Sequence, residues 1–86
     1  MPRLHVTAHL RRVAPQSEIA VMADRLDRAL DALFADWPLL RDYVLDDHGA
    51  VRKHVAIFVD GTRTQNLKLK LSSNTDVHIL QALSGG

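Results

Sequence analysis

Along the first residues of the chain, apolar and polar side chains alternate. Leu4, Val6, Ala8 and Leu10 share one side of an extended chain, and Arg3, His5, Thr7, His9 and Arg11 share the other. A period of two with one wet side predicts a half-buried strand over residues 3–13. The segment "APQS" supplies turn chemistry, and "SEIAVMA" predicts a second strand with Ile19 and Val21 turned inward. An opening hairpin follows from these two segments.

The period then lengthens. From Asp24 to Trp37, apolar residues recur at Leu26, Leu30, Leu33, Phe34 and Trp37, with Ala29 between them. This is the stripe of an amphipathic helix, for which Asp24 is the expected N-cap. Pro38 ends or redirects that helix, because it lacks an N–H and clashes with the preceding turn. "DWPLLRDYVLDD" predicts a short second helix capped by Asp36, and His48-Gly49 closes the segment.

Strand character returns in "VRKHVAIFVDG", which is rich in β-branched residues and ends on Asp-Gly, a hairpin turn signal. "QNLKLKL" alternates, with Leu67, Leu69 and Leu71 expected inside and Lys68 and Lys70 outside. After the polar "SSNT", "DVHILQAL" predicts the last strand, with Val77 and Ile79 on the core side. The order is strand, strand, helix, strand, short strand, strand. An α+β fold follows, and the ubiquitin-like β-grasp is the natural candidate: a mixed sheet of four to five strands crossed by one main helix, plus a short second helix. Residues 1–86 make one domain, with a flexible Gly-Gly tail expected from about residue 82.

Composition narrows the chemistry. The chain has no cysteine, so it has neither a disulfide framework nor a thiol nucleophile, and it suits a reducing cytoplasm. Eleven Lys and Arg against ten Asp and Glu give a net charge of +1, which makes no case for a polyanion partner. No run approaches membrane-spanning length. Five histidines invite a metal reading, yet His5 and His9 lie about 13 Å apart on a strand, too far to share one ion. His48, His54 and His78 show no ligand spacing. Ser72, Ser73 and Ser84 have no activating neighbour, and Asp46-Asp47 reads as a solvated turn. Arg52, Lys53, Arg63, Lys68 and Lys70 could line adjacent strands, but without stacking aromatics they read as a solvated face. No residue set converges on a catalytic site.

Two positions stand apart from that plain picture. Phe58 has the opposite parity to Val55, Ile57 and Val59, and Leu80 the opposite parity to Val77 and Ile79. On neighbouring strands they form a patch on the outer sheet face. Either it is a docking surface, or the second helix or the tail covers it.

"RDYVLDDHGAVRKHVAIFVDG", followed by a polar turn and "DVHILQALSGG", resembles the sulfur-carrier family of the ubiquitin superfamily, above all its molybdopterin-type branch. The family includes the small subunit of molybdopterin synthase and the thiamine-biosynthesis sulfur carrier (MoaD/ThiS-like proteins), with related carriers in cysteine biosynthesis. The resemblance covers nearly the whole chain. It departs from the family at Gln81, Ala82, Leu83 and Ser84, where Pro-Ala-Val-Ala is common. It departs again at "SSNTD", where Gly-Asp is usual, and at "FVDG", where Phe-Val-Asn-Gly is usual. None of these changes touches the terminal carboxylate.

The resemblance implies that the chain is a carrier and catalyses nothing itself. The Gly86 carboxylate, presented on Gly85, would be adenylated by a ThiF/MoeB-like enzyme that brings ATP and magnesium. It would then become a thiocarboxylate, donated to an acceptor such as a molybdopterin synthase large subunit or a cysteine-synthase-like enzyme. The chain would bind no cofactor of its own. Phe58, Leu80, Ala82 and Leu83 would dock the partners. Two alternatives stay open: a modifier joined through Gly86 to target lysines, and an interaction module whose tail is inert.

Overall fold

In the computed structural model, which describes residues 1–7, 10 and 18–81, the last strand of the sequence lies in the middle of the sheet. This strand, β5 (Asp76–Gln81), runs parallel to β1 (Arg3–Val6) and antiparallel to β3 (Val55–Val59). β2 (Glu18–Ala20) pairs antiparallel with β1, and β4 (Thr62–Thr64) pairs antiparallel with β3. The sheet order is β2-β1-β5-β3-β4. Two helices, α1 (Leu26–Asp36) and α2 (Pro38–Val44), lie between β2 and β3 in the chain.

Alternation decides what each strand buries. Leu4, Val6, Ile19, Val55, Ile57, Val59, Val77 and Ile79 all turn to one side and are buried. α1 adds Leu26, Ala29, Leu30, Leu33 and Phe34, spaced at i, i+3, i+4, i+7 and i+8, so that a single stripe meets the sheet. α2 adds Leu40 and Val44 to the same core. The fold is the expected α+β one, with five strands and two helices. Its central β5 needs partners on both sides, so the end of the described chain is tied to its beginning.

Three local expectations give way to different physics. Asp24 does not cap α1. Arg25 occupies the N-cap without a side-chain hydrogen bond, and the N–H groups of Leu26 and Asp27 donate to the carbonyls of Leu69 (2.9 Å) and Leu67 (2.8 Å). The helix start is therefore satisfied by backbone from elsewhere. For the same reason, residues 67–71 are not a strand. Their carbonyls serve the helix, and only an isolated bridge joins Lys70 to Arg25. Leu71 is still buried and Leu67 and Leu69 half-buried, so the alternation reports packing without a ladder. Asp36, the expected cap of the second helix, is the last residue of α1; Trp37 is the N-cap and Pro38 opens α2.

The fourth strand instead follows the Asp-Gly turn. Asp60 and Gly61 both have positive φ, 49° and 85°, as a two-residue type I′ hairpin requires. The turn is anchored to the central strand: Asp60 N–H donates to the Asp76 carbonyl at 2.8 Å, and Asp76 N–H donates to Asp60 Oδ1 at 2.9 Å. Asp46 organises the other tight turn, its Oδ1 accepting from the N–H groups of His48 (2.8 Å) and Ala50 (3.0 Å). Those two bonds hold its carboxyl below the usual carboxylate range. A Cβ at Gly61 would touch nothing, so Gly61→Ala carries only the backbone cost of its φ. We expect it to lower unfolding stability by about 1–2 kcal/mol in denaturant titration; an unchanged midpoint would show that the turn relaxes freely.

Candidate functional site

The inward residues of β1, β2, β3 and β5 join those of both helices in one core, and among the described residues no α-helix lies on the opposite sheet face. On it, the register aligns Glu18, His5, His78, Phe58 and Arg63 in one row across all five strands. The neighbouring rows bring Arg3 beside Asp76, and Leu80 beside Ala56. Phe58 and Leu80 therefore share this face on adjacent strands, as their parity predicts. Phe58 is half-buried by its neighbours, and Leu80 is 37% exposed. α2 does not cover them, because its buried residues Leu40 and Val44 belong to the core on the other side. Ala82, Leu83, Gly85 and Gly86 lie outside the described residues.

A polar cluster that the sequence did not reveal adjoins Phe58. Arg3 grips Asp76 with a two-pronged contact, Nε to Oδ1 at 3.0 Å and Nη2 to Oδ2 at 3.1 Å. His5 Nε2 also lies 2.9 Å from Asp76 Oδ1, and its ring stacks on His78 with centroids 4.4 Å apart and planes 10° from parallel. An ionised carboxylate only accepts, so Nε2 of His5 donates. The His5 contact first, and then the Arg3 contact, hold the Asp76 carboxyl below the usual range. These residues come from β1 and β5, 71 to 73 positions apart, and only the parallel pairing brings them together.

The remaining charges are dispersed. Asp27 takes Arg25 Nε at 2.6 Å and Lys68 Nζ at 3.5 Å, tying the start of α1 to residues 67–71, and its carboxyl is lowered mainly by Arg25. Arg52 Nε donates to the Asp42 carbonyl at 2.6 Å. Of Arg52, Lys53, Arg63, Lys68 and Lys70, only Arg63 lies in a strand, β4, so these residues do not line adjacent strands. Among the described residues, no group of three His, Asp or Glu is gathered for a metal ion. No helix among them is long and apolar enough to cross a membrane.

A five-stranded mixed sheet with this order, crossed by one main helix, is the ubiquitin-like β-grasp fold. No protein-family model matches the chain, and no curated protein matches it. Solved structures do. Small archaeal modifier protein 1 of Haloferax volcanii superposes with a TM-score of 0.82 at 25% identity, over 99% of this chain and 98% of that one. CysO of Mycobacterium tuberculosis gives 0.85 at 19% identity, over 96% and 100%. Urm1 of Sulfolobus solfataricus gives 0.75 at 18% identity, over 93% and 99%. These neighbours are ubiquitin-like β-grasp proteins of the sulfur-carrier and modifier type, the group that the sequence resembles.

The Asp76 cluster has a testable sign. A carboxylate whose folded pKa is depressed stabilises the fold above its unfolded pKa, and that contribution disappears as pH falls through the folded value. Asp76→Asn should therefore unfold more easily than the parent at pH 7, with the gap closing below about pH 4. Thermal unfolding of both proteins across that range checks it. A gap of constant size would show that charge on Asp76 is not what stabilises the face.

Proposed function

We propose that this chain is a small sulfur carrier whose working group is the Gly86 carboxylate. The observation that carries the reading is the full-length agreement in architecture with carrier and modifier proteins, in a chain whose central strand leads into Gly85-Gly86. Gly86 lies five positions beyond Gln81, a reach of at most about 18 Å. A partner that docks on Phe58 and Leu80 thus has the carboxylate within range of its own active site.

The chemistry follows from the group. In a ThiF/MoeB-like partner holding ATP and magnesium, a carboxylate oxygen of Gly86 attacks the α-phosphorus and pyrophosphate leaves. A sulfur donor then displaces AMP from the acyl-adenylate, leaving a thiocarboxylate. Residues without side chains suit the passage into a narrow channel. The carrier supplies the acyl group and a docking face, and the partner supplies the catalysis. CysO of Amycolatopsis orientalis was solved in a complex with BexX, and its fold matches this one with a TM-score of 0.88 at 11% identity. A comparable assembly with a sulfur-accepting enzyme is our reading for this chain, with molybdopterin, thiamine or cysteine biosynthesis as the receiving chemistry.

The likeness to small archaeal modifier protein 1 favours a second reading, in which the same activated Gly86 is joined to a lysine of a target protein. Both readings begin with adenylation, and they diverge at the nucleophile.

Incubation of the full chain with its adenylating enzyme, ATP and a sulfur donor should raise its mass by the difference between one sulfur and one oxygen. A chain lacking Gly86 should show no change. Phe58→Ala should retain the reaction while raising the carrier concentration needed for half-maximal rate on the order of tenfold. Unchanged mass with every ThiF/MoeB-like enzyme of the same genome would sink the carrier reading; isopeptide adducts on lysines would select the second.

A further inference from the structure

The row across the sheet runs from edge to edge as Glu18, His5, His78, Phe58 and Arg63, and it ends on opposite charges. Glu18 and Arg63 are exposed, and neither takes part in an ion pair among the described residues. The middle member of the row is His78, on the central strand β5. Turned end for end about β5, the row meets its own complement: Glu18 falls opposite the partner's Arg63, and His5 opposite the partner's Phe58. We infer that this face takes a second copy of the chain, seated sheet to sheet about a two-fold axis that runs along β5. The contact stands on the charge pattern alone; its consequence for activation rests on the proposed docking of the adenylating enzyme at Phe58 and Leu80.

The neighbouring rows agree with that axis. Beside Asp76 lie Arg3 on β1 and Asp60 at the turn after β3. The same rotation sets Arg3 opposite the partner's Asp60, and the axis repeats each pair. Leu80 lies on the axis, so the exposed apolar side chain of this face is covered by its own copy. Asp76 also lies on the axis, and Arg3 and His5 of its own chain hold that carboxylate, which limits its repulsion of the partner's Asp76. A two-fold axis along the row would instead set Glu18 against Glu18 and Arg63 against Arg63, so charge selects between the two orientations. Packed sheets cross at about 30°, which displaces their edges by a few Å, within the reach of flexible Glu and Arg side chains. Four strand spacings make the face roughly 19 Å wide, and the rows from Asp76 to Leu80 span roughly 13 Å along β5. Such a face is smaller than the about 800 Å² per partner of a stable complex. Self-association is therefore weak and reversible, and it hides Phe58 and Leu80 while it lasts. In a carrier it keeps the docking face covered at high concentration until the adenylating enzyme displaces one copy.

Sedimentation equilibrium of the full chain, from micromolar to millimolar concentration, tests the inference. A monomer–dimer equilibrium without larger species is expected, because a two-fold contact closes. Glu18→Arg and Arg63→Glu should each weaken the dimer about tenfold, since each change acts twice across the axis. An equimolar mixture of the two variants should regain the parent's dimer affinity, because their altered ends complement one another. A folding defect in either variant could not give that recovery. The adenylating enzyme should dissociate the dimer into complexes with one carrier chain per enzyme site. A chain that stays monomeric up to millimolar concentration overturns the inference. So does a dimer indifferent to both substitutions, or one that Leu39→Lys or Met22→Lys breaks in their place. Enzyme complexes that carry the intact dimer overturn the masking of the docking face. Absence of enzyme binding and of thiocarboxylate formation, with a dimer that obeys the charge substitutions, removes the carrier reading and leaves the self-contact standing.

Discussion

The placement of β5 between β1 and β3 is the constraint on which the rest of this protein depends. Leu4 aligns with Val77, Val6 with Ile79, and Ile57 with Ile79, so one register assigns every inward side chain of three strands. A slip by one residue would turn Val77 and Ile79 to solvent and bring Asp76, His78 and Leu80 into the core. Burial of the inner residues thus fixes the composition of the outer face. The same pairing makes the most central strand the one that leads into the terminal glycines, so the proposed reactive end is held from the middle of the sheet.

Both helices lie on the side that the inward residues choose, and among the described residues no α-helix covers the outer face. The start of α1 shows how closely the inner side is connected. Its N–H groups are satisfied by the carbonyls of Leu67 and Leu69, and Asp27 links Arg25 and Lys68 across the same junction. Residues 67–71 thereby close the core next to the helix, and Leu71 is buried there. α2 buries Leu40 and Val44 and leaves Leu39, 67% exposed, and Tyr43 on its solvent side. These two residues form one apolar alternative to the Phe58 face as a place for a partner to bind, and Met1 and Met22, also exposed, form another.

Much of this was visible in the sequence, for reasons specific to each segment. Strands around Val6, Ile19, Ile57 and Ile79 announce themselves because each is buried on one side only, and the stripe from Leu26 to Phe34 fits a single helical face. The outward parity of Phe58 and Leu80 followed from the same alternation. Residues 67–71 misled because alternation measures one-sided burial and carries no information about where backbone carbonyls bond. Thr62, Arg63 and Thr64 were hidden for the opposite reason: an edge strand with little to bury shows no apolar pattern. The Arg3, His5, Asp76 and His78 cluster depends on a parallel pairing between the two ends of the chain, which no local spacing encodes.

The central claim is that the helix-free sheet face receives the partner that activates the chain's end. Methyl-labelled protein bound to its adenylating enzyme, observed by cross-saturation NMR, tests this claim most directly. The account predicts that the methyl groups of Leu80 and Ala56 lose intensity while those of Leu39 and Met22 do not. Loss at Leu39 and Met22, with Leu80 and Ala56 unaffected, would contradict it.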